Sequence, residues 1–275
     1  MTGDDHGIME TLTDLLARDR RSDRPALSAP GDPAREYDYR RLRTDARRTG
    51  NFLSHLGVRT GRAVGIVGVA PEVVLAFLGT ALLGGVARFA PPPKADLRDA
   101  NPPDDGSRDG TRGYAALRAL VAPTDRASTY ELAPGGTRVA YGGPPEHPGT
   151  AHFERDVWSE NPAFPPTDVS PADPVLATGE RVYTHADLLA TAGAVVERAG
   201  VDAEDGVALR APLADPGAVA AGLVAPLLAG ASIVLPGATA GGDGAAAVED
   251  AAIGDVAVAA GDTPEERVID PSTVR

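Results

Sequence analysis

Five histidines, one lysine, no cysteine and a compact turn at Thr178-Gly179-Glu180-Arg181 hold most of the chemistry open to this chain. A loop that grips phosphates needs several backbone N–H groups laid open by glycine, hydroxyls beside them and usually a cation. The turn offers one glycine, one hydroxyl, one opposing carboxylate and Arg181. With about four charge-assisted hydrogen bonds missing, at about 1.5–3 kcal/mol each, ATP affinity falls by more than ~10⁴-fold. A second glycine-rich tract, Gly237 to Ala245, follows an apolar strand. It has no lysine and no Gly-x-Gly-x-x-Gly spacing, and Asp243 repels phosphate, so it reads as a flexible loop.

The histidines give no catalytic set. His185 follows Thr184 inside a Thr-x-x-Asp capping pattern that closes on Asp187, and packing at a helix start accounts for it. His55 falls in the last turn of a helix, where the dipole favours a cation. His147 and His152 lie in a proline-rich line and would need further ligands to hold a metal, and His6 is near the amino terminus. No Gly-x-Ser-x-Gly elbow accompanies them, and the absence of cysteine excludes disulfides, thiolate metal sites and a thiol nucleophile. Acidic pairs arise by composition alone, and Asp202-Ala203-Glu204-Asp205 reads as a solvated loop. The sequence therefore assigns no catalytic residue, no metal ligand, no cofactor-binding residue and no cofactor.

Composition narrows the partners. Asp and Glu number 39 against 26 Lys and Arg, a formal charge of −13, which repels nucleic acid and anionic membrane. No run of 18 apolar residues spans a bilayer, and no apolar signal stretch opens the chain. The single lysine, the acidic excess and 4% aromatic content resemble proteins of salt-loving archaea. At molar salt the Debye length is about 3 Å, short enough to screen the repulsion among carboxylates. The expectation is a cytoplasmic protein of a halophile.

The elements that would position any site come in two similar copies. One runs from Arg35 to Pro92 and the other from Gly179 to Gly237, with Gly57-Val58 matching Gly200-Val201, Val64 matching Val207, and Leu82-Leu83 matching Leu227-Leu228. Each copy predicts a polar-faced helix ending near glycine, a strand (64–69; 207–210), an apolar helix opened by proline (71–83; 216–228) and a second strand (86–90; 232–235). Near-continuous apolar strands alternating with helices predict an α/β fold, with largely parallel sheets covered by helices. Between the copies, 91–110 is a Pro/Asp-rich loop, and 114–121, 125–132 and 137–141 predict strand, helix and strand. The line 142–166 is too rich in proline for regular structure, with Phe153, Trp158 and Phe164 pinning it to the surface. Two subdomains are expected, 1–170 and a shorter 171–275, with 142–170 as connector.

The order strand, turn, Thr184-His185, Leu188-Leu189 resembles the core of the AMP-forming acyl-CoA synthetases and related adenylating enzymes. Tyr37-Asp-Tyr-Arg-Arg-Leu42, Pro71-Glu72 and the duplication itself extend the resemblance from Leu15 to Gly237, over apolar scaffold motifs. In that family a long Ser/Thr/Gly-rich loop ending in Pro-Lys-Gly stands before the Thr-His pair and wraps the ATP phosphates. It is missing here. Where the second subdomain of the family carries a ring after its strand, this chain has Pro212-Leu213-Ala214-Asp215-Pro216. The 38 residues after Gly237 hold no Tyr-Gly-x-Thr-Glu, no Thr-Gly-Asp and no lysine-bearing small domain, and Lys94 sits in the inter-copy loop. The resemblance implies the amino-terminal domain of such an enzyme, degenerate and noncatalytic: a pseudoenzyme pairing with an active acyl-CoA synthetase or another protein. Half of a split ligase, or a small acyl or CoA carrier, are the other readings.

Overall fold

The computed structural model describes residues 9–31, 33–94, 116–179, 181–237 and 253–274. A 3-10 helix, Leu12–Leu16, precedes a hairpin of β1 (Pro25–Ala29) and β2 (Arg35–Asp38). Next come α1 (Tyr39–His55), β3 (Ala63–Ile66), α2 (Pro71–Leu82) and β4 (Val86–Phe89). The middle segment supplies β5 (Leu117–Pro123), a one-turn α3 (Thr124–Ala127), β6 (Thr137–Tyr141), β7 (Ala151–His152) and α4 (Phe153–Trp158). A second hairpin, β8 (Pro174–Thr178) and β9 (Arg181–Thr184), leads to α5 (His185–Ala199) and β10 (Gly206–Leu209). After α6 (Pro216–Val219), a π-helical turn (Ala220–Val224) and α7 (Ala225–Ala229) come β11 (Ser232–Val234), β12 (Val256–Val258), β13 (Arg267–Ile269) and a 3-10 turn, Pro271–Thr273.

Local chemistry explains most of these boundaries. The Asp38 carboxylate accepts the Arg41 N–H at 2.6 Å to open α1, and Tyr39, Leu42, Ala46 and Leu53 bury one stripe of it. Pro71 opens α2, whose residues are all buried, as fits a helix that is apolar around its circumference. Pro216 opens the matching helix of the second copy, but Pro226 lies inside it. Proline lacks the N–H and crowds the carbonyl four residues back. The helix takes up the defect in its π turn, where the Ala225 N–H reaches back five residues to Ala220.

The strands form two sheets that are parallel except within the hairpins. One has the order β13-β12-β10-β11-β1-β2 and the other β7-β6-β5-β3-β4-β8-β9. The copies thus exchange hairpins: β1 pairs with β11 (Leu27 beside Ile233), and β8 pairs with β4 (Leu176 beside Ala87). A boundary at residue 170 does not coincide with either sheet, because each contains a hairpin from the other side of it. Side chains lock the exchange. Arg20 donates to the carbonyls of Leu227 and Leu228, at 2.6 and 3.1 Å. The Tyr39 hydroxyl donates to Ala231 O at 2.7 Å. The Leu227 and Leu228 carbonyls belong to the last turn of α7, where a helix has no internal donors for them.

Two segments between the copies differ from expectation. The helix expected over 125–132 is a single turn ending at Ala127. Beyond it the chain is drawn into extended contacts: Glu131 N donates to Pro93 O at 2.8 Å, and the Arg138 guanidinium holds Tyr130 O. The connector, expected without regular structure, carries β7 and α4, because its prolines flank 151–158 rather than interrupt it. Phe153 and Val157, four apart, are both fully buried there. Phe153 meets Trp158 edge-on at 6.2 Å, and Asn51 holds the carbonyls of Asn161 and Ala163. The expected loop 95–110, residues 114–115 and the tract 238–245 lie outside the described residues.

Helices α1 and α2 cross through glycine. A Cβ on Gly79 would stand 2.9 Å from Gly50 N and 3.2 Å from Ala46 O, both backbone atoms that cannot rotate away. Gly79→Ala is expected to destabilise the fold by about 1–3 kcal/mol through overpacking. Denaturant unfolding in molar KCl would read this as a lower midpoint at an unchanged slope.

Candidate functional site

The place where phosphate chemistry would have to occur is the β8–β9 hairpin. The strands pair antiparallel up to Thr178 beside Arg181, so Gly179 and Glu180 are the whole connection. Gly179 has φ +49°, in the left-handed region that tight hairpin turns require and glycine adopts freely. The start of α5 directly after it is also fully engaged. The His185 N–H donates to Asp173 O at 3.1 Å and the Ala186 N–H to Pro171 O at 3.0 Å. The Asp187 N–H donates to Thr184 Oγ1 at 3.1 Å, and the Asp187 carboxylate accepts the Thr184 N–H at 2.9 Å. A helix start binds anions through free N–H groups. Here the first three are used, and a carboxylate occupies the positive end of the dipole.

His185 is fully buried. Its Nδ1 accepts the N–H of Leu12 at 3.1 Å, tying the amino-terminal 3-10 helix to α5 across 173 residues of sequence. That bond fixes the neutral tautomer with hydrogen on Nε2, an atom buried without a partner among the described residues. Burial pushes the imidazole down to about 4, against the weaker pull of Asp173 and Asp14.

The remaining sequence candidates are scattered. His55 pairs with Glu160 at 3.0 Å, and His152 with Glu154 at 3.1 Å, on different elements. His6 lies outside the described residues. Lys94 meets Glu131 at 3.1 Å on an exposed surface. No group of three or more metal-binding side chains occurs among the described residues. Asp215, in the Pro-Leu-Ala-Asp-Pro run, caps α6 through Gly217 N at 2.9 Å. The segment 202–205, expected to be solvated, is in part a lock: Asp205 is buried, binds Arg267 at 2.8 Å and accepts Asp202 N.

Sequence reasoning missed two ion pairs with a buried carboxylate. Arg35 on β2 pairs with Glu72, which is 1% exposed in the first turn of α2 and keeps Oε2 unpartnered. Burial first, and then the Glu72 charge, push the Tyr37 hydroxyl up to about 12. Arg210, at the end of β10, holds the buried Glu265, with Nε 2.9 Å from Oε2. A carboxylate inside the apolar run 70–78 was the one available signal for Glu72. For Glu265 there was none, since its partner lies 55 residues away.

No protein-family model and no curated protein matches the sequence. Solved structures match by fold. An anthranilate CoA ligase in complex with anthranoyl-AMP gives a TM-score of 0.68 at 22% identity, over 87% of this chain and 47% of its own. An acyl-CoA synthetase of Brucella canis gives 0.66 at 22% identity, over 83% and 43%. A benzoate CoA ligase from Burkholderia xenovorans LB400 gives 0.65 at 22%, over 82% and 45%. The fold is therefore that of the amino-terminal domain of adenylating enzymes, and this chain spans less than half the length of each of these three proteins. No helix among the described residues is long and apolar enough to cross a membrane.

The buried imidazole sets a pH dependence. Its folded-state pKa of about 4 lies below the value of about 6.5 expected in the unfolded chain. The unfolded state then binds more protons between these values, so stability rises with pH across that window and is lost as pH falls through it. The contribution is on the order of 3 kcal/mol. His185→Asn keeps an acceptor for the Leu12 N–H and removes the titration. The variant is expected to lose less stability than the parent between pH 6.5 and 4, measured by denaturant unfolding at each pH, and equal losses would contradict the assignment.

Proposed function

We propose that this chain is a noncatalytic relative of the AMP-forming acyl-CoA synthetases that works by binding another protein, an active synthetase of the same fold being the first candidate. The observation that carries this reading is the two-residue closure of the β8–β9 hairpin beside a helix start with no free donors. Adenylation needs a triphosphate held while an acyl carboxylate attacks its α-phosphorus, and that holding is done by preorganised donors and cations. The N–H groups of Thr184, His185, Ala186 and Asp187 serve the fold.

Binding to a protein is supported by the apolar side chains that remain outside. Ile253 is 70% and Val268 48% exposed, and both belong to the β12–β13 side of the six-stranded sheet. Val268 lies on the edge strand β13, and edge strands invite pairing or covering. A separate chain completing a ligase site is a weaker reading, because it would also have to supply a phosphate loop from inside this half.

The experiment is calorimetric titration in molar KCl with MgATP, CoA and short carboxylic acids, alongside an ATP–pyrophosphate exchange assay. The expected result is no MgATP binding tighter than millimolar and no exchange, together with co-sedimentation with an active acyl-CoA synthetase that weakens in Val268→Glu. Micromolar MgATP binding with pyrophosphate exchange would overturn the noncatalytic reading.

A further inference from the structure

Residues 18–48 hold ten arginines and six carboxylates, in a chain whose formal charge is −13. Six of those arginines are committed to the fold. Arg24, Arg35 and Arg40 pair with Glu204, Glu72 and Asp23, Arg41 and Arg48 share Asp45, and Arg20 donates to the carbonyls that end α7. The other four, Arg18, Arg21, Arg43 and Arg47, have no carboxylate partner among the described residues.

These four share one face. Arg43 and Arg47 are four apart on α1, so their side chains are neighbours along the helix. Arg43 Nε donates to Leu16 O at 2.9 Å and draws the next turn against α1. That turn, in which the Arg21 N–H donates to Arg18 O at 3.3 Å, carries Arg18 and Arg21. Burial first, and then the charges of Arg47, Arg21 and Arg18, hold the Arg43 guanidinium below its ordinary pKa. Arg47 Nε is buried with no partner among the described residues. The carboxylate between Arg18 and Arg20, Asp19, is turned to the backbone, where it accepts the Arg20 N–H at 3.1 Å.

Four uncompensated cations side by side repel one another, and an anion that bridges them relieves that repulsion. Arg18 and Arg21 are exposed, with Arg43 and Arg47 half-buried beside them. The guanidinium forks therefore form an open face, and a fork matches a carboxylate through two parallel hydrogen bonds. A chain with several carboxylates engages the face at more than one fork, as a single small anion does not. Nucleic acid would run past the face onto the acidic remainder of the protein, whereas a short acidic segment stays within it. We propose that this face docks an acidic segment of a partner protein, its Asp and Glu side chains seated on Arg18, Arg21, Arg43 and Arg47. The inference rests on the reading of this chain as a protein-binding one and adds the chemistry of the partner. Its test needs no synthetase, so its failure leaves co-sedimentation and the effect of Val268→Glu to be judged separately.

The probe is fluorescein-labelled octaglutamate, followed by anisotropy in the lowest KCl at which thermal melts show each variant folded. Octaglutamate is expected to bind saturably and to weaken as KCl rises, and a glycine–serine peptide of equal length to give no saturable change. The double variant Arg18→Gln, Arg21→Gln, at side chains without hydrogen-bond or ion-pair partners among the described residues, is expected to weaken octaglutamate roughly tenfold. Arg18→Lys with Arg21→Lys keeps the charge without the fork and is expected to weaken it less. Arg59→Gln with Arg62→Gln, exposed before β3, is expected to change nothing. Absence of saturable binding, undiminished affinity in the Arg18/Arg21 glutamine variant, equal weakening in the Arg59/Arg62 variant, or tighter binding of an oligothymidylate than of octaglutamate would each overturn the proposal.

Discussion

The antiparallel closure of β8 onto β9 through two residues governs the rest of this structure. A ladder that runs to Thr178 beside Arg181 commits the backbone up to the turn, and it delivers Thr184 to α5 in the geometry of a reciprocal cap. The hairpin also joins the sheet of the other copy. One short connection therefore fixes strand order, helix start and the loss of open donors together. Lengthening it into a phosphate-gripping loop would change the approach to the helix start, and Asp187 and Asp173, which serve that start, would face the incoming charge.

Interlocking needs polar as well as apolar adhesion, because each exchanged hairpin is part of the sheet of the other copy. Exposed pairs such as Arg24 with Glu204, or Arg40 with Asp23, contribute about 0–1 kcal/mol each and less in salt. The contacts that decide the arrangement are fewer and deeper. Arg35 with Glu72 joins β2 to α2, Arg210 with Glu265 joins β10 to the segment before β13, and Arg267 covers the last carbonyls of α5. Removing one partner of a buried pair strands a charge, at about 3–5 kcal/mol, the upper end applying where both partners are buried. Arg210 with Glu265 comes closest, while Arg35 is 39% exposed and its pair is correspondingly weaker. Of these, only the Arg35–Glu72 pair involves an exchanged hairpin, through Arg35 on β2.

What the sequence revealed followed from periodicity and punctuation. The Pro71 and Pro216 helix starts, the buried strands around Val64 and Val207 and the Thr184 cap are local signals, and each is found in place. Partners distant in sequence were not legible. Nothing in Leu27 or Leu176 says that its strand will join the other copy, since an apolar strand fits either sheet. Phe153 and Val157 were hidden by the surrounding prolines, although their spacing of four was itself a helix signal. The candidate phosphate site could be judged because its defect is local: a turn of four residues has too few donors in any fold.

The most direct measurement follows the backbone amides of Gly179, Arg181, His185, Ala186 and Asp187 by NMR while MgATP is titrated in molar KCl. If their hydrogens are committed to the hairpin and the helix start, their resonances stay in place to millimolar nucleotide. Saturable shifts in that set at micromolar MgATP would show that the turn opens around a triphosphate, and would contradict the account at its base.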